Sequence, residues 1–319
     1  MIAGLFRALA GALVLFLVGC ASVHPWPKAA SGVNSESFVQ LDVPFFPQER
    51  YQCGPAALAT MLASQSVPVT AEALVPKVYL PGREGSLKVE LVAAARQYGM
   101  LVYPLADLTD MLAEIDSGHP VIVMQNLGFD WFPQWHFAVV IGYDSSEEEL
   151  ILHTDTRRAN RQPLGVFYRT WDRAGQWAAV MLPAGDIPVT AEALPYLESA
   201  HDLESTGQQA PAFAAYQAAV ARWPGEPAAL LGMGNIAYAQ QKWSDAARHY
   251  LGTVEKFPRL APGWNNLAHA LARSGCASQS VEALACANEL RPDGFPLDLP
   301  TSDDASGSTC PVFNCPVID

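Results

Sequence analysis

The sequence predicts two domains, an α+β domain over residues 38–185 and an all-α domain over residues 186–294. In the first part, apolar patterns with helical spacing come before short β-branched runs, an order typical of an α+β layer structure. In the second part, a residue followed by proline recurs at intervals of 34, at Trp223-Pro224, Phe257-Pro258 and Arg291-Pro292. A length of 319 residues, half of them hydrophobic, is sufficient for two cores.

The N-terminus predicts a signal peptide rather than a membrane-spanning helix. Arg7 is the only charged residue before residue 28, and the apolar run from Ala8 to Val18 is too short for a typical span. The run ends in Leu17-Val18-Gly19-Cys20, which resembles the cleavage box of bacterial lipoproteins. The alternative is an ordinary signal peptide in which Cys20 occurs by chance.

The lipoprotein resemblance implies that residues 1–19 are removed and that Cys20 becomes a lipidated N-terminus. Several acyl chains would anchor the protein stably in a membrane. Because Ala21 rather than an Asp follows Cys20, the resemblance favours the outer membrane, with the protein facing the periplasm. Residues 20–37 then comprise the lipidated cysteine and a polar tether.

The first domain has a clear order of predicted elements. Apolar spacing predicts helices over 53–65, 86–98 and 107–117, and a further helix beginning near Thr70. β-branched and aromatic runs predict strands over 121–124, 137–143, 150–152, 166–168 and 178–182. The polar turn between the second and third of these strands predicts a hairpin.

Cys53 is the candidate nucleophile, because it lies where an irregular, proline-broken segment meets the helix predicted over 53–65. Unpaired N–H groups and the helix dipole at this position favour the thiolate, so we expect a lowered pKa for Cys53. His136 begins one strand of the predicted hairpin and Asp155 follows the other, which would bring both to the same end. A thiol, an imidazole base and an orienting carboxylate together make a catalytic triad.

These segments resemble the bacteriocin-processing (double-glycine) peptidase family over roughly residues 40–185. The resemblance lies in Gln48 followed by Cys53-Gly54-Pro55-Ala56-Ala57-Leu58, and in the segment from His136 to Asp144. It implies a papain-like fold and cleavage of peptide or protein substrates. It also assigns Cys53 as nucleophile, His136 as base, Asp155 as orienting carboxylate and Gln48 as oxyanion donor.

Two features depart from the family pattern. Gln48 lies five residues before Cys53, where transporter-linked members usually have six, and Gln52 is the alternative oxyanion donor. Asp155 lacks the following proline that is common in the family, and Asp144, which suits a turn, is the alternative carboxylate. We expect neither a cofactor nor a metal ion, since the spacing around His153 does not resemble a zinc site.

The 34-residue period resembles that of tetratricopeptide repeats, with units over 193–226, 227–260 and 261–294. Small residues recur at matched positions, with large ones between them, as expected for two packed helices per unit. The resemblance implies a concave surface that binds a peptide or protein partner. The alternative is a structural spacer.

Four cysteines remain besides Cys20 and Cys53. Cys276 and Cys286 would lie on one helix roughly 15 Å apart, too far to pair with each other. If both are oxidised, each bonds to the Cys-containing tail over 295–319; otherwise Cys310 and Cys315 close a local loop.

A net charge of −13 argues against a nucleic-acid partner.

Taken together, the three resemblances predict a membrane-anchored cysteine peptidase with a repeat domain for docking a partner or substrate. The alternative is a catalytically inactive, peptidase-like scaffold lipoprotein for envelope assembly.

Overall fold

The computed structural model describes residues 26–27, 37–48, 52–83, 85–292, 294–301 and 310–317. The predicted signal peptide and Cys20 lie outside these residues, so their assignment remains a prediction. Within the described part of the chain, no helix combines the length and the apolar character that a membrane span requires.

One antiparallel sheet of seven strands forms the centre of the first domain. Its order is β2-β7-β3-β4-β5-β6, and β1 pairs with the end of β4. The predicted hairpin is β4–β5, in which Val139 lies opposite His153. The strands are β1 (Phe38–Gln40), β2 (Met100–Pro104), β3 (Val121–Asn126), β4 (Trp135–Asp144), β5 (Glu149–Thr154), β6 (Arg157–Pro163) and β7 (Ala178–Pro183).

Within the described residues, five α-helices cover the two faces of this sheet. They are α1 (Cys53–Ser64), α2 (Ala71–Val78), α3 (Lys88–Gln97), α4 (Leu108–Asp116) and α5 (Leu164–Asp172). The first three pack on the face that carries Phe137 and Val139. The other two pack on the opposite face, which carries Ala138 and Val140. Alternation along β4 therefore supplies one apolar surface to each helical layer.

The three helices predicted with full bounds are confirmed, as are the strands predicted over 121–124, 137–143, 150–152 and 178–182. The strand predicted over 166–168 is wrong, because these residues lie within α5. Leu164, Phe167 and Trp171 bury one face at helical spacing, which a three-residue apolar run does not reveal.

Six further helices form three consecutive hairpins in the second part of the chain. They are α6 (Ala193–Ser205), α7 (Gln209–Arg222), α8 (Pro227–Ala239), α9 (Trp243–Lys256), α10 (Ala261–Arg273) and α11 (Ala277–Leu290). Corresponding helices begin 34 residues apart, which is the period predicted from the sequence. Gly234 allows close packing of two helices, since a Cβ there would lie 2.3 Å from the Tyr250 ring.

The hairpins pack against the edge of the sheet. Tyr196 of α6 is fully buried in the same core as β2 and donates a hydrogen bond to Ala184 O at 3.2 Å. The Glu114 carboxylate of α4 is also fully buried and accepts from Thr190 N at 2.8 Å and Thr190 Oγ1 at 2.7 Å. These contacts attach the segment between the two domains to both of them.

Two disulfides connect the tail to the last hairpin, Cys276–Cys310 and Cys286–Cys315. This confirms the prediction that each helix cysteine, if oxidised, bonds to the tail. Phe313 between the two tail cysteines packs on Trp264, with ring centroids 5.4 Å apart. The tail thus covers apolar surface at the end of the helical stack, as terminal caps do in repeat proteins.

Candidate active site

The N-terminus of α1 positions Cys53 at the edge of a buried helix. Cys53 is half-buried, whereas Leu58 and Met61 of the same helix are fully buried against the sheet. Gly54 must lack a side chain, because a Cβ there would lie 2.2 Å from Ser86 Oγ. The sheet on one side of α1 and Ser86 on the other therefore hold the first turn of the helix, and with it Cys53, in place.

Cys53 and His136 line one cavity of about 790 Å³. This volume is typical of ligand-binding clefts. One side of the cavity comes from the segment before α3, and the other from the segment that leads into β4. The lining residues are Gln48, Cys53, Gly85, Ser86, Leu87, Leu127, Phe132, Pro133, Gln134, Trp135 and His136.

The Cys53 thiol has a raised pKa, because burial disfavours the charged thiolate. Hydrogen bonds from the backbone N–H groups of Phe137, Gly54 and Cys53 itself act in the opposite direction but are outweighed. The expected lowering of this pKa is thus not found. The dipole argument neglected the cost of removing the helix N-terminus from water.

His136 is buried and its ring nitrogen Nε2 hydrogen-bonds with Thr154 Oγ1 at 2.7 Å. Burial lowers the His136 pKa to about 4, while Asp155 raises it and Arg157 lowers it. The imidazole is therefore neutral at neutral pH. When Nε2 carries the proton and donates it to Thr154, Nδ1 is free to accept a proton.

Asp155 and Gln48 are joined by two hydrogen bonds. Gln48 Nε2 donates to Asp155 Oδ1 at 3.2 Å, and Gln48 N donates to Asp155 O at 3.2 Å. Asp155 has a φ of 55°, a left-handed conformation that Asp tolerates, so the chain turns as it leaves β5. Among the described residues, the His136 hydrogen bond is to Thr154 and not to Asp155.

The strand register accounts for Thr154 meeting His136. Because Val139 lies opposite His153, Thr154 is on the same face of the sheet as Ala138 and His136. Residues that are diagonal on one face of an antiparallel pair are within reach of each other. Thr154 was not singled out from the sequence, although the period of two would have placed it on this face.

The alternative site residues have other surroundings. Asp144 lies eight residues along β4 from His136, roughly 26 Å away in an extended strand. Hydrogen bonds from Ser146 and Arg161 lower the Asp144 pKa to about 2, consistent with a turn residue. Gln52 precedes α1 without capping it by a side-chain hydrogen bond.

His153 uses both of its ring nitrogens in contacts with the backbone. Nε2 lies 3.0 Å from Val43 O, and Nδ1 accepts from Ala159 N at 3.1 Å. Among the residues that the structure describes, no group of three His, Cys, Asp or Glu side chains is arranged to hold a metal ion.

A segment rich in exposed aromatic residues, here called the aromatic loop (127–135), borders the cavity. Trp131 is 81% exposed and stacks on Phe129, with ring centroids 5.4 Å apart. Asn126 Oδ1 holds the two ends together by accepting from Gly128 N at 3.0 Å and Gln134 N at 2.9 Å. A fixed, exposed apolar surface of this kind is typical of a binding site.

The model of the Peptidase_C39 like family matches residues 40–179. Over these residues, which make up most of the first domain, the chain is similar to C39-like peptidases. The match supports a cysteine peptidase of the double-glycine family and covers the positions of Gln48, Cys53, His136 and Asp155. Among curated proteins, none matches the chain.

Solved peptidase structures align with slightly less than half of the chain. A putative C39-like peptidase from Bacillus anthracis has 19% identity and a TM-score of 0.39, covering 46% of this chain and 97% of its own. A double glycine motif protease from an AMS/PCAT transporter, in complex with the leader peptide, has 22% identity and a TM-score of 0.35, covering 46% and 94%. The peptidase domain of Streptococcus ComA, a bifunctional ABC transporter, has 23% identity and a TM-score of 0.35, covering 44% and 97%.

We predict that Thr154→Val lowers kcat by about 10- to 100-fold, the range that applies when a metal-bound imidazole loses the hydrogen-bond partner that orients it. Asp155→Asn should cost less, because Gln48 N still donates to the backbone of residue 155. Thr154→Ser keeps the hydroxyl and should restore most of the lost rate, which a purely structural role for the side chain would not explain. A larger loss in Asp155→Asn than in Thr154→Val would contradict this assignment.

We also predict opposite shifts of the His136 pKa in two charge variants. Arg157→Gln removes a positive charge and should raise the pKa from about 4, whereas Asp155→Asn should lower it further. NMR titration of the imidazole, assigned with His136→Gln, measures both shifts. Arg158→Gln is the matched control, because Arg158 acts on the pKa of His153.

The same pKa determines the acid limit of activity. Since His136 accepts protons only when neutral, kcat/KM should persist below pH 6.5 and fall as the pH drops through about 4. If His136 of the free protein titrates near 6.5, burial does not lower its pKa. If its pKa does not respond to Arg157→Gln, the Arg157 charge does not act on it either.

Proposed function

We propose that the protein is a cysteine peptidase that cleaves peptide or protein substrates. The observation that carries this proposal is the cavity lined by both Cys53 and His136, which has room for an extended peptide. A nucleophile and a base that line one cleft are what attack on a bound carbonyl requires first, which supports this proposal.

The first chemical step transfers the Cys53 thiol proton to Nδ1 of His136 as sulfur attacks the scissile carbonyl. The resulting oxyanion is stabilised by N–H donors. Gln48 Nε2 has two hydrogens, of which one is used by Asp155, so the other is available to the oxyanion. Asp155 in this mechanism positions Gln48, and Thr154 positions His136.

The remaining steps return the enzyme to its starting state. Protonated His136 gives its proton to the leaving amine, which departs and leaves a thioester on Cys53. A water molecule then loses a proton to His136 and attacks the thioester, and the acid product leaves as the thiol is re-formed. The raised pKa of Cys53 and lowered pKa of His136 favour a neutral pair before substrate binds, so proton transfer accompanies attack.

The aromatic loop supports a preference for substrates with apolar side chains. Trp135 and Phe132 line the cavity, and Trp131 extends the apolar surface into solvent. Burial of an apolar side chain against such rings contributes most of the favourable energy in many peptide interfaces.

The helical hairpins are proposed to be tetratricopeptide repeats that dock a partner or the substrate. Their 34-residue period and paired helices support this assignment. A cavity of about 360 Å³ lies between the second and third hairpins and is lined by Asn235, Tyr238, Ala239, Tyr250, Asn266 and His269. This mixture of amide, phenol and imidazole groups suits a peptide main chain.

We also propose that Cys20 is lipidated and that the protein resides in the outer membrane, facing the periplasm. The support is the Leu17-Val18-Gly19-Cys20 segment. The two disulfides agree with it, because structural disulfides persist in oxidising compartments such as the periplasm.

A scaffold without catalytic activity is the second candidate. The raised pKa of Cys53 favours it, since little thiolate is present at neutral pH without a bound substrate. In that case the same cavity and the hairpins would bind envelope proteins without cleaving them.

Cleavage of fluorescein-labelled β-casein, an unstructured chain rich in apolar residues, separates the two candidates. The peptidase should release new termini that mass spectrometry can locate. Cys53→Ala and His136→Ala should each remove essentially all cleavage, because the pair acts as a unit. Binding of casein without cleavage by the wild-type protein would instead support the scaffold.

Lipid anchoring predicts that Cys20→Ser abolishes incorporation of labelled palmitate and releases the protein from bacterial membranes. Ser22→Ala is the matched control, two residues further along, and should leave both properties intact. Equal labelling of the Cys20→Ser variant would exclude a lipid on this residue.

A further inference from the structure

Arg157, the first residue of β6, lies directly opposite Thr154 of β5. Opposite residues of an antiparallel pair stand on the same face of the sheet, with Cβ atoms about 4.5–5.5 Å apart. Because Thr154 is hydrogen-bonded to His136, the side chain of Arg157 begins on the face that carries the proposed base. The turn between β5 and β6 therefore places an arginine at the border of the candidate site.

The electrostatic effects of two neighbouring arginines agree with this placement. The charge of Arg157 lowers the pKa of His136, and that of Arg158 lowers the pKa of His153. The two histidines belong to opposite faces, since His153 lies opposite Val139, which is three residues along β4 from His136. Arg157 and Arg158 are thus on opposite faces, with Arg157 on the side of His136.

Arg157 is exposed and makes no ion pair with any residue that the structure describes. The other two arginines of β6 each have an acidic neighbour. Arg158 lies 4.0 Å from Asp42, and Arg161 lies 2.6 Å from Glu149. The positive charge of Arg157 is therefore available to an anion from outside this part of the chain.

The cavity beside Arg157 has a neutral lining. Among the described residues that form it, none carries a formal charge at neutral pH, because the Cys53 thiol and the His136 imidazole are both neutral there. The aromatic loop connects β3 with β4, whereas β5 and β6 lie on the other side of β4. A peptide over Cys53 and His136 would thus have apolar rings on one side and a cation on the other.

We propose that Arg157 is a specificity-determining residue that forms an ion pair with an aspartate or glutamate side chain of the substrate. The inference rests on the proposed function, since it concerns the chain that lies over Cys53. A guanidinium offers several N–H donors to a carboxylate and stays charged at any physiological pH. An apolar side chain on the aromatic loop and an acidic one at Arg157 together orient the peptide across the cavity.

Binding to the Cys53→Ala variant tests this proposal without a contribution from the chemical step. The probe is fluorescein-labelled, dephosphorylated β-casein, used either unmodified or with its carboxylates converted to neutral amides. Arg157→Gln should weaken binding of the unmodified probe by about 2- to 5-fold, the effect of one exposed ion pair. It should leave binding of the amidated probe unchanged. Fluorescence anisotropy measures both, and Arg157→Lys, which keeps the charge, should retain most of the affinity.

Arg158→Gln is the matched control, because it removes the same charge from the neighbouring position, which is 67% exposed and on the opposite face. It should leave binding of both probes unchanged. The proposal is overturned if Arg157→Gln causes no loss, if Arg158→Gln causes an equal one, or if the amidated probe is affected as much as the unmodified probe. Failure of the Cys53→Ala variant to bind casein would overturn it as well.

These outcomes are separate from the test of peptidase activity. Cleavage by the wild-type protein together with unchanged binding in Arg157→Gln would retain the peptidase and reject the role of Arg157. A carboxylate-dependent loss of binding in a protein that never cleaves casein would retain the role of Arg157 in a peptide-binding scaffold.

Discussion

Removal of the α1 N-terminus from water is the constraint on which the candidate site depends. The sheet and the segment before α3 enclose Cys53 and His136, and this burial raises the pKa of one and lowers that of the other. Both groups are then neutral, and the fold avoids the large desolvation free energy of an isolated buried charge. A thiol and a base that are both neutral therefore line the same cavity, and in the proposed mechanism the proton moves only at the moment of attack.

The candidate site and the first strand of the domain lie at opposite ends of β4. His136 lies at the start of β4, whereas β1 pairs with the end of β4, from Gly142 to Asp144. Trp26 of the proposed tether packs on Tyr143, with ring centroids 5.6 Å apart. Trp26 and β1 therefore lie at the end of β4 opposite His136.

Periodicity in the sequence was sufficient to predict the principal helices, the β4–β5 hairpin and the 34-residue spacing of the hairpins. It missed β6, whose sequence Arg157–Pro163 is polar because it forms an edge of the sheet. The predicted elements placed Cys53, His136 and Asp155 in one region, and the family resemblance added Gln48, but neither predicted the hydrogen bonds that these residues make. Those depend on strand register and on the left-handed turn at Asp155, which brings Thr154 to His136 and Asp155 to Gln48.

The proposed mechanism requires that the Cys53 sulfur becomes acylated, with His136 as its base. Rapid acid quenching during turnover of an activated peptide thioester, followed by intact-protein mass spectrometry, tests it most directly. An acyl adduct should form on Cys53 of the wild-type protein, and its rate of formation should be greatly reduced in His136→Ala. Absence of the adduct in a folded wild-type protein, or equal rates in both proteins, would contradict it.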